Sequence, residues 1–101
     1  MESQYKIKYT PISLNDLKEI IDYIMLDSPT AANKMLDKIE EAISKLALFP
    51  NMCPYFEDSA SEKKYRCLAI GNYNVFYVVL GDTVQIMRIL HGKRQIEALL
   101  Q

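Results

Sequence analysis

Tyr65-Arg66-Cys67-Leu68-Ala69-Ile70-Gly71-Asn72-Tyr73-Asn74-Val75-Phe76-Tyr77-Val78-Val79-Leu80-Gly81-Asp82-Thr83-Val84-Gln85-Ile86-Met87-Arg88-Ile89-Leu90-His91 is the stretch on which the fold turns. Gly71-Asn72 and Gly81-Asp82 divide it into three runs, Tyr65 to Ile70, Tyr73 to Leu80 and Thr83 to Leu90. The runs are rich in β-branched and aromatic residues, and each Gly-containing pair is a tight-turn signal. Two tight turns in succession predict an antiparallel meander. In the middle run Tyr73, Val75, Tyr77 and Val79 face one way, and Asn74, Phe76, Val78 and Leu80 face the other. Both faces are mostly apolar, whereas a sheet backed on one side only shows polar residues on its open face. Something therefore covers the second face: a C-terminal helix, the 51–62 loop or another protein. A partner protein is the reading adopted for part of it.

Upstream of the meander, Tyr5 to Tyr9 alternates apolar and basic residues, the pattern of a short strand with one buried face. Thr10-Pro11 ends it, because proline cannot donate to a sheet ladder. Ser13 is the expected N-cap of a first helix over residues 14–26, with Asp16 three residues on as a weak capping box. Leu14, Leu17, Ile20, Ile21 and Ile24 recur at helical spacing. Ser28 and Pro29 are an N-cap and a first helical residue for a second helix over 31–47. Its stripe is Ala32, Met35, Ile39, Ala42, Ile43 and Leu46, and Pro50 ends it. So short a join predicts a helical hairpin. Asn51 to Glu62 reads as a loop, and Arg94 to Leu100 as a short closing helix. The expected fold is a single α+β domain over 1–101, a helical hairpin on a mainly antiparallel four-stranded sheet, ordered β-α-α-β-β-β.

Composition limits the function classes. The chain has 101 residues, half of them hydrophobic and a quarter charged, which is ordinary for one globular domain. Its net charge is −1, which weighs against a surface that grips nucleic acid throughout. The charge is uneven: residues 1–61 balance at −4, with six lysines against ten carboxylates, while residues 62–94 balance at +4. No apolar run approaches the roughly 20 residues that cross a bilayer, and Met1 to Gln4 lacks signal-peptide character, so a cytoplasmic protein without membrane contact is expected. Cys53, Cys67 and His91, the sole histidine, are not spaced as zinc ligands. Neither a metal nor a cofactor is expected. Cys53, beside Pro54, is expected to be partly exposed.

Six residues in the basic half are candidate binding residues: Arg66, Asn74, Arg88, His91, Lys93 and Arg94. Each has a structural alternative. Arg66 is either functional or a surface strand residue paired with Glu62. Arg88 sits in an otherwise apolar run on the parity of Ile86 and Leu90, so it needs a binding face or an internal carboxylate such as Glu19. His91 is either an acid or base for proton transfer or a turn hydrogen-bonder. Lys93 and Arg94 bind a partner or cap the last strand. Tyr5, Tyr9, Tyr23 and Tyr77 are read as core.

The order of elements carries three local patterns. Asp16-Leu17, Ile20 and Tyr23-Ile24 lie on the first helix; Arg66-Cys67-Leu68 and Asn72 to Tyr77 lie on the meander; Ile86 to Arg94 closes it. Together they resemble the ParE/RelE superfamily of toxins from bacterial type II toxin–antitoxin, or plasmid stabilisation, modules. The resemblance implies one of two activities. RelE-like members cut mRNA on the ribosome with a set of basic residues and often a C-terminal tyrosine or histidine. ParE-like members bind DNA gyrase. Both are silenced by an antitoxin that folds onto the toxin.

Arg66 and Arg94 match basic positions of the nucleases. Leu68 replaces a second basic residue, Asn74 an arginine, and Leu100, next to Leu99, a tyrosine. Cleavage at a ribose 2′-OH needs a base, a cation for the phosphorane charge and an acid, and neither leucine supplies any of them. The departures favour the ParE-like branch, a gyrase inhibitor in a toxin–antitoxin hetero-oligomer. If the protein is instead an endoribonuclease acting with ribosome and mRNA, its catalytic candidates are Arg66, Arg88, His91 and Arg94. A degenerate, non-toxic antitoxin binder is the third reading. The implied antitoxin would lay a helix on the hairpin and direct acidic residues to Arg66 and Arg88.

Overall fold

The computed structural model describes residues 4–56 and 64–92. The elements are β1 (Lys6–Tyr9), α1 (Pro11–Asp27), α2 (Pro29–Ser44), a 3-10 turn (Lys45–Ala47), β2 (Tyr55–Phe56), β3 (Tyr65–Ile70), β4 (Tyr73–Leu80) and β5 (Thr83–His91). One sheet contains all five strands in the order β1-β5-β4-β3-β2. β1 runs parallel to β5, and the other pairs are antiparallel. Gly71 and Gly81 open the two hairpin turns at φ of 58° and 59°, a left-handed backbone that glycine adopts without cost.

The sheet has one more strand than the sequence predicts. β2 lies inside the expected loop and pairs Tyr55 with Arg66 and Phe56 with Tyr65. Two residues are too few to show a period of two, so no pattern marked it. The expected 94–100 helix, with Lys93, Arg94, Leu99 and Leu100, lies outside the described residues.

The helix ends also differ from expectation. Thr10, not Ser13, caps α1: its Oγ1 accepts the Ser13 N–H at 3.2 Å, and Pro11 occupies the first helical position. Proline sets a helical φ and has no N–H to leave orphaned, so the helix starts directly after β1. Ser13 is buried instead, donating its hydroxyl to the Thr10 carbonyl at 2.8 Å. Thr10 also donates its backbone N–H and its hydroxyl to the Ile86 carbonyl, at 3.1 and 2.9 Å. The start of α1 is thereby fixed to β5. Ser28 joins the helices as expected. Its N–H caps α1 on the Ile24 carbonyl, and its Oγ accepts the Ala31 N–H of α2.

The main core lies between the helices and one sheet face. Ile20, Ile39, Ile43 and Leu46 meet Val75, Tyr77, Val84, Ile86 and Ile89 there. Fully burying each such side chain contributes about 1.5–3 kcal/mol before ordering entropy is subtracted. Tyr77 is completely buried and donates its hydroxyl to the Pro50 carbonyl at 2.8 Å. Tyr5 and Tyr9 pack on this core, but Tyr23 is 75% exposed, against its reading as core, and Leu14, although on the apolar stripe of the first helix, is 52% exposed. Cys53 is only 7% exposed, because it packs into the same core rather than opening to solvent beside Pro54. On the opposite face Phe76 and Leu90 are buried with Phe56, Tyr65 and Cys67. The Phe56 ring meets Phe76 edge-on at 5.4 Å. Part of the apolar second face is thus covered by the loop segment that forms β2.

Candidate functional site

β5 does not keep strict alternation. Its pairing with β4 passes from Tyr77–Ile86 to Phe76–Arg88, so Met87 has no partner and forms a bulge. Before the bulge Val84 and Ile86 face the helices; after it Ile89 does. Arg88 therefore leaves the parity of Ile86 that the sequence suggests. β1 pairs with β5 only as far as Ile86, so the β5 edge beyond is open to α1.

Asp16 fills that edge. Its Oδ2 accepts the Ile89 backbone N–H at 3.0 Å and Arg88 Nε at 2.8 Å, while Oδ1 accepts Arg88 Nη2 at 3.0 Å. One helix carboxylate thus replaces a missing strand and pairs the arginine bidentately. The Asp16 side chain is 8% exposed and that of Arg88 21%. The Asp16 hydrogen bond raises the Arg88 pKa further, despite some burial, and Glu19 adds to the rise. Arg88 takes the internal salt bridge, but its partner is Asp16 and not Glu19. Asp16 shares a helix line with buried Ser13 and Ile20 at i−3 and i+4, the signal that marks it in sequence.

Arg66 sits on β3 opposite Tyr77. Its Nη1 donates to the Cys53 carbonyl at 2.7 Å and, more weakly, to the Asn51 carbonyl at 3.4 Å. The guanidinium lies 4.2 Å over the Tyr55 ring. It therefore fastens the approach to β2, while Glu62 lies outside the described residues. Asn74, on β4, accepts a weak bond from the Cys67 thiol at 3.6 Å. Burial pushes the Cys67 thiol above its usual range, and nearby Cys53 adds to this. Arg66 and Arg88 are separated by β4, and each holds internal acceptors.

His91 ends β5 opposite Tyr73, the two rings meeting edge-on at 5.0 Å. Together with α1 they border a half-open cavity of about 350 Å³. Asp16, Glu19 and Tyr23 line it from the helix, and Ile20 and Ile89 supply apolar surface. Glu19, Tyr23 and Tyr73 are not among the candidate binding residues read from the sequence, which offers Glu19 only as a partner for Arg88 and Tyr23 only as core. Nothing in a single helical period distinguishes a cavity wall from a solvated face. A second hollow, also about 350 Å³, lies between β1, α1 and α2 and is lined mainly by Ile7, Tyr9, Leu14, Leu17 and Ile43. Among the described residues no group of three or more His, Cys, Asp or Glu could hold a metal ion, and no helix is long and apolar enough to cross a membrane.

Residues 7–96 match the model of a family described as the ParE toxin of the type II toxin–antitoxin system, parDE. No curated protein sequence matches. Among solved structures, the chromosomal ParDE toxin–antitoxin system of P. aeruginosa contains a chain 26% identical with a TM-score of 0.71. The alignment covers 89% of this chain and 98% of that one. The RelBE2 toxin–antitoxin complex of Mycobacterium tuberculosis is similar at 17% identity and a TM-score of 0.60, covering 90% and 94%. The RelB–RelE antitoxin–toxin complex of Methanococcus jannaschii follows at 21% and 0.54, covering 93% and 99%. These last two likenesses are of fold.

Proposed function

The chain belongs to the ParE toxin family of type II toxin–antitoxin systems, and from that membership we propose that it acts as a binding inhibitor of DNA gyrase, neutralised in the cytoplasm by a cognate antitoxin. The observation that carries the binding reading is the commitment of its basic residues. Arg88 gives Nε and Nη2 to Asp16, and Arg66 gives Nη1 to the 51–53 loop. Leu68 and Asn74 stand where the nuclease branch has cations. A phosphoryl-transfer site needs charge presented to the substrate, and these side chains present little.

The antitoxin partner is supported by the neighbouring structures, each a toxin–antitoxin system or complex. Exposed apolar side chains on the helical hairpin, Ile12, Leu14 and Leu26 among them, give such a partner surface to cover. A supercoiling assay with purified protein tests the target. Inhibition at micromolar protein, relieved by equimolar antitoxin, is expected. Unchanged supercoiling, combined with codon-phased mRNA cuts in induced cells that vanish in His91→Ala, would replace this reading with ribosome-dependent cleavage.

A further inference from the structure

The cavity between α1 and the Tyr73–His91 end of the sheet is electrostatically lopsided. Asp16 is neutralised by Arg88. Glu19, three residues along α1, accepts the neutral Asn15 amide at 3.2 Å; Arg88 and Lys18 feel its charge through space, but among the described residues no cation lies within salt-bridge distance of it. The wall beside it is aromatic. Tyr23 stands mostly in solvent, and it comes close enough to Tyr73 to add to the rise that burial imposes on the Tyr73 hydroxyl. Two ring systems and a carboxylate with no direct ion pair among the described residues thus face one open volume, which His91 also borders.

That combination selects a ligand by charge. Ring faces attract cations, and a carboxylate forms its strongest hydrogen bonds with guanidinium or ammonium groups. An acidic or apolar insert would desolvate Glu19 without pairing it. The net charge of −4 over residues 1–61, which include α1, draws the same sign of partner. A volume of about 350 Å³ admits one long basic side chain with a few waters. We propose that this cavity is the receptor for one lysine or arginine side chain of the antitoxin, gripped by the Glu19 carboxylate and the rings of Tyr23 and Tyr73. The inference rests on the antitoxin reading above. It also reverses the polarity expected from the sequence, in which partner carboxylates seek Arg66 and Arg88.

Calorimetric titration of the full-length cognate antitoxin tests it, against the wild-type chain, Glu19→Gln and Tyr23→Ala. Glu19 and Tyr23 are exposed on α1, so both variants keep the fold, which a melting curve verifies. Each substitution is expected to weaken binding on the order of tenfold, with a smaller salt dependence for Glu19→Gln. Replacing the antitoxin's lysines and arginines singly by glutamine should reveal one whose loss weakens binding to the wild type but adds nothing against Glu19→Gln. Affinities within about twofold of wild type for both variants would overturn the proposal. So would disappearance of the Glu19 effect in Lys93→Gln/Arg94→Gln, which would make the chain's own cations the occupants. Failure of the wild type to bind at all would remove the antitoxin reading itself, a result distinct from equal binding by wild type and variants.

Discussion

Asp16 and Arg88, 72 positions apart in sequence, meet through two hydrogen bonds of 2.8 and 3.0 Å at the point where β5 loses β1 as a neighbour. The same carboxylate takes the Ile89 N–H. One side chain therefore fixes the first turns of α1 to the bulged half of β5 and forms the floor of the Glu19 cavity.

Asp16→Ala should destabilise the fold by about 3 kcal/mol, the lower end for breaking a buried pair, since Arg88 keeps some solvent. The Ile89 N–H loses its acceptor as well. Asp16→Leu combined with Arg88→Met should recover much of the loss, because it leaves no uncompensated charge. Urea midpoints for Asp16→Ala and for the double variant check both statements.

Arg66→Ala should release the approach to β2. Loss of a charged donor to the Cys53 carbonyl and of the Tyr55 stack costs about 1–2 kcal/mol. Hydrogen exchange should quicken over residues 51–56 and stay unchanged in α2. Arg66→Lys should recover only part of this, since an ammonium cannot lie flat over the ring while donating sideways.

Tyr77→Phe keeps the ring in the core but leaves the Pro50 carbonyl without its partner. A cost of about 1–3 kcal/mol follows from burying an unpaired acceptor. Thermal melting of the variant measures it. A neutral result would mean that water replaces the hydroxyl.

Stability should fall at alkaline pH. Burial raises the Cys67 thiol above the ordinary thiol value of 9.0 and the Tyr9, Tyr73 and Tyr77 hydroxyls above the ordinary 10.0. The unfolded chain loses these protons first, so the stabilisation is complete below the unfolded values and is lost as pH rises towards the folded ones. Urea midpoints should be flat from pH 7 to about 8 and decline from about 9 upward. Cys67→Ala should remove the earliest part of the decline.

Elements whose physics is local are legible in the chain's residues alone. The Gly71 and Gly81 turns, the β-branched runs between them, the Ser28-Pro29 join and the hairpin stripes through Ile20, Ile39 and Ile43 each follow from a residue's own backbone preference or from periodicity along one segment. The family resemblance rested on the order of those elements, and that order held. Tertiary structure alone decided the rest. β2 exists because Tyr55 and Phe56 find Arg66 and Tyr65 as partners, not because two residues show a pattern. The Met87 bulge shifts every later side chain of β5 by one, which no alternation rule foresees. Arg88 chose Asp16 over Glu19 because the β5 edge is open only beyond Ile86, where Asp16 also meets an unpaired N–H. Glu19 was thereby left to face the cavity. A charge's partner is set by distance in three dimensions, and a sequence records only distance along the chain.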